Sequence, residues 1–181
     1  MPELIIRDKA DMLPKGLVTI EMKDLLTGKL LKEFRLPVAQ PNQATLKAKL
    51  CAARVLGGDM NYSVAQVEWG AGNTSAQASD VNLSEPFAPS GQEADTGVFT
   101  AINDLQFPSD GQILFLSALT TEADAYADGN NTVWIQEVGL RTNPLPGFPK
   151  GILVARFVND APIGKAGTRI ALSVKWLYIY A

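Results

Sequence analysis

The chain has 181 residues, of which 46% are hydrophobic and 19% charged, a globular composition that excludes a disordered or fibrous protein. Its formal net charge of −3 offers no basic field for nucleic acid or for an anionic membrane surface, and no stretch reaches the ~18 apolar residues of a membrane-spanning helix. With no histidine and a single cysteine, Cys51, the sequence excludes Ser-His-Asp and Cys-His catalysis, histidine-based metal sites, intrachain disulfides and multi-thiolate zinc.

Residues 1–15 alternate a short apolar patch, Leu4, Ile5 and Ile6, with charges, and lack the basic leader and apolar core of a secretory signal, so they read as an extended arm. Residues 16–181 read as one β-rich domain. Within it, 16–24 and 29–37 are strand-like runs around the turn Leu25-Leu26-Thr27-Gly28, which predicts a hairpin over 16–37. Val18, Ile20 and Met22 form its dry face, and Leu17, Thr19, Glu21 and Lys23 its wet face.

A helix is predicted over 42–56, capped by Asn42 or Gln40 and stopped by Gly57-Gly58. Leu46, Leu50 and Ala53 make one apolar stripe; Ala44, Ala48, Cys51 and Val55 make a second on the far side. Such a helix touches something on both faces. One face takes its own sheet, and the small-residue face takes the arm, a loop or a neighbouring subunit.

From Val64 onward the pattern is strands and loops, with strands predicted at 64–69, 98–105, 112–119, 133–141, 152–158 and 169–180. The intervals are too short for crossover helices, so the fold class is mainly β, an antiparallel β-sandwich of jelly-roll-like kind over 64–181, with one helix and the N-terminal arm. In the last strand Ile170, Leu172, Val174, Trp176, Tyr178 and Tyr180 share one face. Leu177 and Ile179 interrupt the opposite polar row, so the tip is apolar on both sides, under a second layer or in a contact between subunits. The loops 70–84, 86–97 and 120–132 are long, as contact surfaces tend to be.

Chemistry-bearing residues are few. Cys51 lies on an apolar helix face and reads as a small buried residue. Glu122, Asp124 and Asp128 read as solvated loop charge, and Asp124-Ala-Tyr-Ala-Asp128-Gly129 fails as a calcium loop, with Tyr126 and Ile135 where ligands are required. Gly70-Ala-Gly72-Asn73 lacks the Gly-Lys-Ser/Thr ending of a phosphate loop and reads as a turn using glycine for positive φ. Glu137 sits within an apolar strand, either on a wet face, the reading favoured here, or paired with Arg156 or Arg141 to fix register. Trp69, Trp134 and Trp176 fall within strand patterns and read as core.

Three segments in order, Gly70, Gly72, Asn73, Thr74, Ser79, Asp80 and Leu83, then Glu137-Val138-Gly139-Leu140, then Leu153, Ala155, Arg156, Pro162, Ile163 and Lys165, resemble a family of tailed-bacteriophage virion structural proteins. The likeness runs from about Val64 to Ala181. It implies a structural protein rather than an enzyme, with no cofactor, no metal and no catalytic residue, located in the virion after synthesis in the host cytoplasm. The station implied is a capsid cement or decoration protein, a homo-oligomer, typically a trimer, bound to the major capsid protein, without nucleic-acid or membrane partners. A tail, baseplate or fibre-attachment component is the alternative, and a carbohydrate- or receptor-binding module a further one. The interaction residues expected are Leu4, Ile5 and Ile6 of the arm and Leu177 and Ile179 of the final strand.

Overall fold

The hairpin forms from β1 (Lys15–Asp24) and β2 (Leu30–Arg35). Its turn is organised by Asp24, whose Oδ1 accepts the backbone N–H groups of Leu26 and Thr27, each at 3.0 Å, and the Thr27 hydroxyl at 3.1 Å. Gly28 closes it at φ 68°, a conformation that penalises any Cβ. The computed structural model describes residues 15–35, 43–88, 97–110, 112–119, 132–166 and 170–179. The expected arm with Leu4, Ile5 and Ile6, and the acids Glu122, Asp124 and Asp128, lie outside the described residues.

The fold is mainly β, two antiparallel five-stranded sheets packed as a sandwich with one α-helix among the described residues. The first sheet runs β2-β1-β10-β7-β6, with β6 at Asp104–Gln106, β7 at Gln112–Leu119 and β10 at Ile170–Ile179. The second runs β3-β9-β8-β4-β5, with β3 at Gln43–Ala44, β4 at Val64–Gly70, β5 at Val98–Ala101, β8 at Thr132–Thr142 and β9 at Leu153–Ala166.

Alternation decides which side chains fill the space between the sheets. Val18 and Ile20 of β1, Phe115 and Leu119 of β7, and Leu172, Val174, Trp176 and Tyr178 of β10 face Val67, Trp69, Val138, Leu140 and Phe157 of the second sheet. Each such side chain stabilises by about 1.5–3 kcal/mol relative to exposure. A polar bridge crosses the same space. Trp69 Nε1 donates to Thr100 Oγ1 at 2.8 Å, and Thr100 Oγ1 lies 2.7 Å from Ser117 Oγ on the opposite sheet.

Three elements depart from expectation. The run 98–105 breaks after Ala101, because Ile102 donates to Ala65 O on the second sheet and Asn103 to Leu116 O on the first, so β5 and β6 belong to different sheets. The strand expected to stop at Val158 continues to Ala166. Between the pairs Glu137 with Val158 and Ile135 with Ile163 the register slips, leaving Asn159 to Pro162 as a bulge where the missing N–H of Pro162 costs no ladder bond. The helix, α1, spans Leu46–Leu56 and starts at Thr45 rather than Asn42 or Gln40. Thr45 does not cap with its side chain; its hydroxyl donates to Leu153 O at 2.5 Å and its N–H to Val154 O at 2.9 Å, tying the helix start to β9.

That tether reverses the expected use of the helix faces. Ala48 and Cys51 are buried and Leu46 and Leu50 exposed, because a helix held this close to β9 accommodates only small side chains beneath it.

Candidate functional site

The outward face of the second sheet carries charges at the centre of its strands. Glu68 of β4, Glu137 and Arg141 of β8, and Arg156 of β9 are all at most 2% exposed. In-register pairing sets them side by side with Gly139: Glu68 opposite Gly139, Gly139 opposite Arg156, and Gly70 opposite Glu137. The segment 71–88 lies across them and seals the face.

Glu137 is the hub. Its carboxylate accepts the backbone N–H groups of Gly72, Ser84 and Glu85 at 3.2, 3.1 and 2.7 Å and the Ser84 hydroxyl at 3.3 Å, so one side chain holds both ends of the segment. Arg156 pairs with Glu137 at 2.7 Å and with Asp80 at 2.8 Å, and donates to Thr74 O at 2.9 Å, Thr74 Oγ1 at 3.1 Å and Ser84 Oγ at 3.0 Å. A second pair lies alongside. Arg141 donates to Glu68 at 2.5 Å, to Gly151 O at 3.0 Å and to Asn82 Oδ1 at 3.1 Å. Burial pushes the Glu68 carboxyl above its ordinary value, an effect the Arg141 guanidinium offsets only in part.

The glycines of this region are explained by space, which corrects the reading of Gly70 and Gly72 as positive-φ turn residues. Neither has positive φ. A Cβ on Gly70 would lie 2.6 Å from Glu85 O and 2.8 Å from Glu137 Oε1, and one on Gly72 would overlap Ser84 Oγ and Glu137 Oε1. A Cβ on Gly139 would lie 2.6 Å from Leu153 Cδ1 and 3.0 Å from Leu83 Cδ2, so Gly139 is the hole that receives the buried Leu83 of the segment. Gly70, Gly72, Thr74, Asp80, Leu83, Glu137, Gly139 and Arg156, scattered through the sequence, are parts of one clamp.

The hydrogen bonds of Glu137 and Arg156 are all made to protein, so the clamp fixes a loop; beside it, Glu68 Oε1 is buried without a hydrogen-bond partner. Glu137 therefore takes the paired reading, not the wet-face one. The sequence reading leaves Glu68 out and offers Arg141 as a partner of Glu137, whereas Arg141 pairs with Glu68; the available sign is that two acids and two arginines are the only charges in 64–70, 132–142 and 153–158.

The residues expected to make interactions fall elsewhere. Leu177 and Ile179 lie half-buried on the outer face of the first sheet, where Leu17, Leu177 and Leu114 stand in register across β1, β10 and β7. On the same face Glu21, expected to be wet, is 5% exposed beneath Lys23 and Lys175, both of which pair with it. Burial raises the Glu21 pKa, but the two ammonium groups outweigh it and hold the carboxyl below its ordinary value. Trp69 and Trp176 are core as expected; Trp134 is not, being 58% exposed beside Gly164.

A groove of about 680 Å³ opens between α1 and the turn 145–151, lined by Lys47, Val81, Asn82, Phe148 and Lys150 among others. Among the described residues no cluster of three or more carboxylate or thiol groups has metal-binding geometry. Cys51 is buried, and burial pushes its thiol up to about 11, as a small core residue would have it. Comparison of the chain with protein families, curated proteins and solved structures gave no match.

Proposed function

We propose that the chain is a structural subunit of a tailed-bacteriophage particle, a capsid cement protein that bridges neighbouring capsid subunits and acts by burial rather than catalysis. The observation that carries this reading is the clamp. Eight of the residues on which the resemblance rests, distant in sequence, serve one physical task in the fold, which supports a shared architecture behind the likeness. Such a task also explains why these residue types go together: Gly70 and Gly72 give room, Glu137 and Arg156 give the grip, and Leu83 fills the hole at Gly139.

The outer face of the first sheet supports the mode of action. Leu17, Leu114 and Leu177 form a cross-strand apolar row, with Leu17 exposed and the other two part-buried, a surface suited to cover by a neighbour. Interfaces of about 800 Å² per partner, repeated over a symmetric lattice, add so that loss of one subunit requires breaking several contacts together.

The test uses heads stripped of this protein. Added back, the chain should bind in stoichiometric amount and raise the temperature at which the heads release their DNA. No binding to heads, with saturable binding to tails, would move the subunit to the tail or baseplate. The exposed Trp134 favours a glycan-binding reading only if Trp134→Ala abolishes attachment to cell-surface polysaccharide while leaving particle binding intact.

A further inference from the structure

The groove of about 680 Å³ between α1 and the turn 145–151 takes its walls from three parts of the chain: Lys47 of α1, Val81 and Asn82 of the segment 71–88, and the turn with the start of β9. One buried side chain ties two of these walls together. Arg141 donates to Asn82 Oδ1 at 3.1 Å and to Gly151 O at 3.0 Å. The turn is held further by Gln66 Nε2, which donates to Lys150 O at 3.2 Å, and by Thr142 Oγ1, which accepts the Ile152 N–H at 2.9 Å. Gly151 lies at φ 75°, where a Cβ would stand 2.2 Å from Thr142 O, so the turn needs glycine at this point. The groove is therefore preformed, and an occupant is spared the cost of ordering it.

Its charge is one-sided. The lining contains two lysines and no carboxylate, and among the described residues neither Lys47 nor Lys150 pairs with an acid. Asp80, next to Val81 in sequence, is turned to Arg156 and to the Gln77 N–H, and Glu68 is fully buried against Arg141. The first turn of α1, where Lys47 stands, holds no acid. The rest of the surface is mostly apolar, with Val81 exposed and the Lys47 ammonium 5.9 Å from the centre of the exposed Phe148 ring. Nor does this apolar surface end with the lining. Leu46 and Leu50 are also exposed and share an arc of about 100° on α1 with Lys47.

We infer that this groove is the docking site for an acidic, apolar segment of a partner protein, its apolar side chains lying against Val81 and Phe148 and its carboxylates meeting Lys47 and Lys150. A peptide rather than a small molecule is the occupant because the leucines of α1 extend the contact beyond the groove itself. The inference goes beyond the assembly reading and does not depend on it.

The test presents the immobilised full-length chain, at low salt, with a pool of end-blocked short peptides randomised over leucine, phenylalanine, serine, aspartate and lysine, and reads the retained peptides by mass spectrometry. Peptides that combine aspartate with leucine or phenylalanine should be retained about tenfold over their lysine counterparts. Lys47→Gln with Lys150→Gln should remove that preference, and Lys47→Glu with Lys150→Glu should reverse it, which an unfolded chain would not do. Phe148→Ser should remove the preference for leucine and phenylalanine over serine, and Lys175→Gln, on the first sheet, should change neither. Equal retention of acidic and basic peptides, a charge preference that survives the glutamine pair, or a groove filled by a second copy, seen as a dimer that Phe148→Glu dissociates, would overturn the inference. Selection by a chain that is absent from particles leaves the groove standing and ends the virion reading; loading of stripped heads by a chain that selects no peptide does the opposite.

Discussion

The Glu137 carboxylate and the Arg156 guanidinium, buried on adjacent strands of the second sheet, meet at 2.7 Å and together hold both ends of the segment 71–88. A buried ion pair gains little over an apolar pair of the same volume unless its remaining hydrogen-bonding positions are filled. Here they are filled by backbone N–H groups, hydroxyls and Asp80, which turns the pair from a burden on stability into a device for fixing a long loop in one place.

Breaking the pair from one side should be costly. Glu137→Gln or Arg156→Met alone leaves an unpaired buried charge and is expected to lose about 3–5 kcal/mol in urea denaturation. The double variant should lose clearly less than the sum of the two. Additive losses would mean that the two side chains act separately.

Space at Gly72 gives a second expectation. Gly72→Ala drives a Cβ into Ser84 Oγ and Glu137 Oε1 and should destabilise by about 1–3 kcal/mol through overpacking, with faster proteolysis within 71–88. Gly28→Ala meets no atom within 4 Å and should cost only the strain of its φ of 68°, about 1 kcal/mol, without exposing that segment. Equal proteolysis of 71–88 in the two variants would contradict the clamp.

Glu21 sets a pH dependence. Its folded pKa lies below the ordinary 4.5, so the folded state holds this proton less tightly than the unfolded chain. The stability it contributes is present above 4.5 and is lost as pH falls through the folded value. Because Lys175 and Lys23 are partly exposed, the contribution is about 1 kcal/mol or less. Glu21→Gln should therefore flatten the acid limb of a stability-against-pH curve below 4.5; an unchanged limb would show that the lysines do not hold this carboxyl.

Cys51 predicts a labelling rate. A buried thiol with its pKa pushed up to about 11 is protonated at pH 8, so a thiol-reactive dye should label the native chain slowly and the urea-unfolded chain at once. Immediate labelling of the native chain would mean that α1 does not sit on β9 as described.

Much of the fold was legible because alternation is a local property. Residues 112–119 and 170–179 sort their side chains by period two, and the turn at Thr27-Gly28 is written in its own residues. What was not legible depends on partners distant in sequence. Nothing within 98–105 says that its two halves hydrogen-bond to different sheets. Pro162 ends a strand by propensity but here occupies a bulge set by the register of β8. The helix stripes were found, yet which one faces the sheet followed from the Thr45 tether, and the larger leucines lost to the small residues. Alternation places Glu137 on a wet face because it assigns a face without saying that a loop will cover it.

The most direct test of the whole account is to split purified virions into heads and tails and measure this polypeptide in each fraction. If the chain is the capsid subunit proposed above, it stays with the heads, in copies proportional to the capsid lattice. Finding it free in infected-cell lysate and absent from both fractions would contradict it.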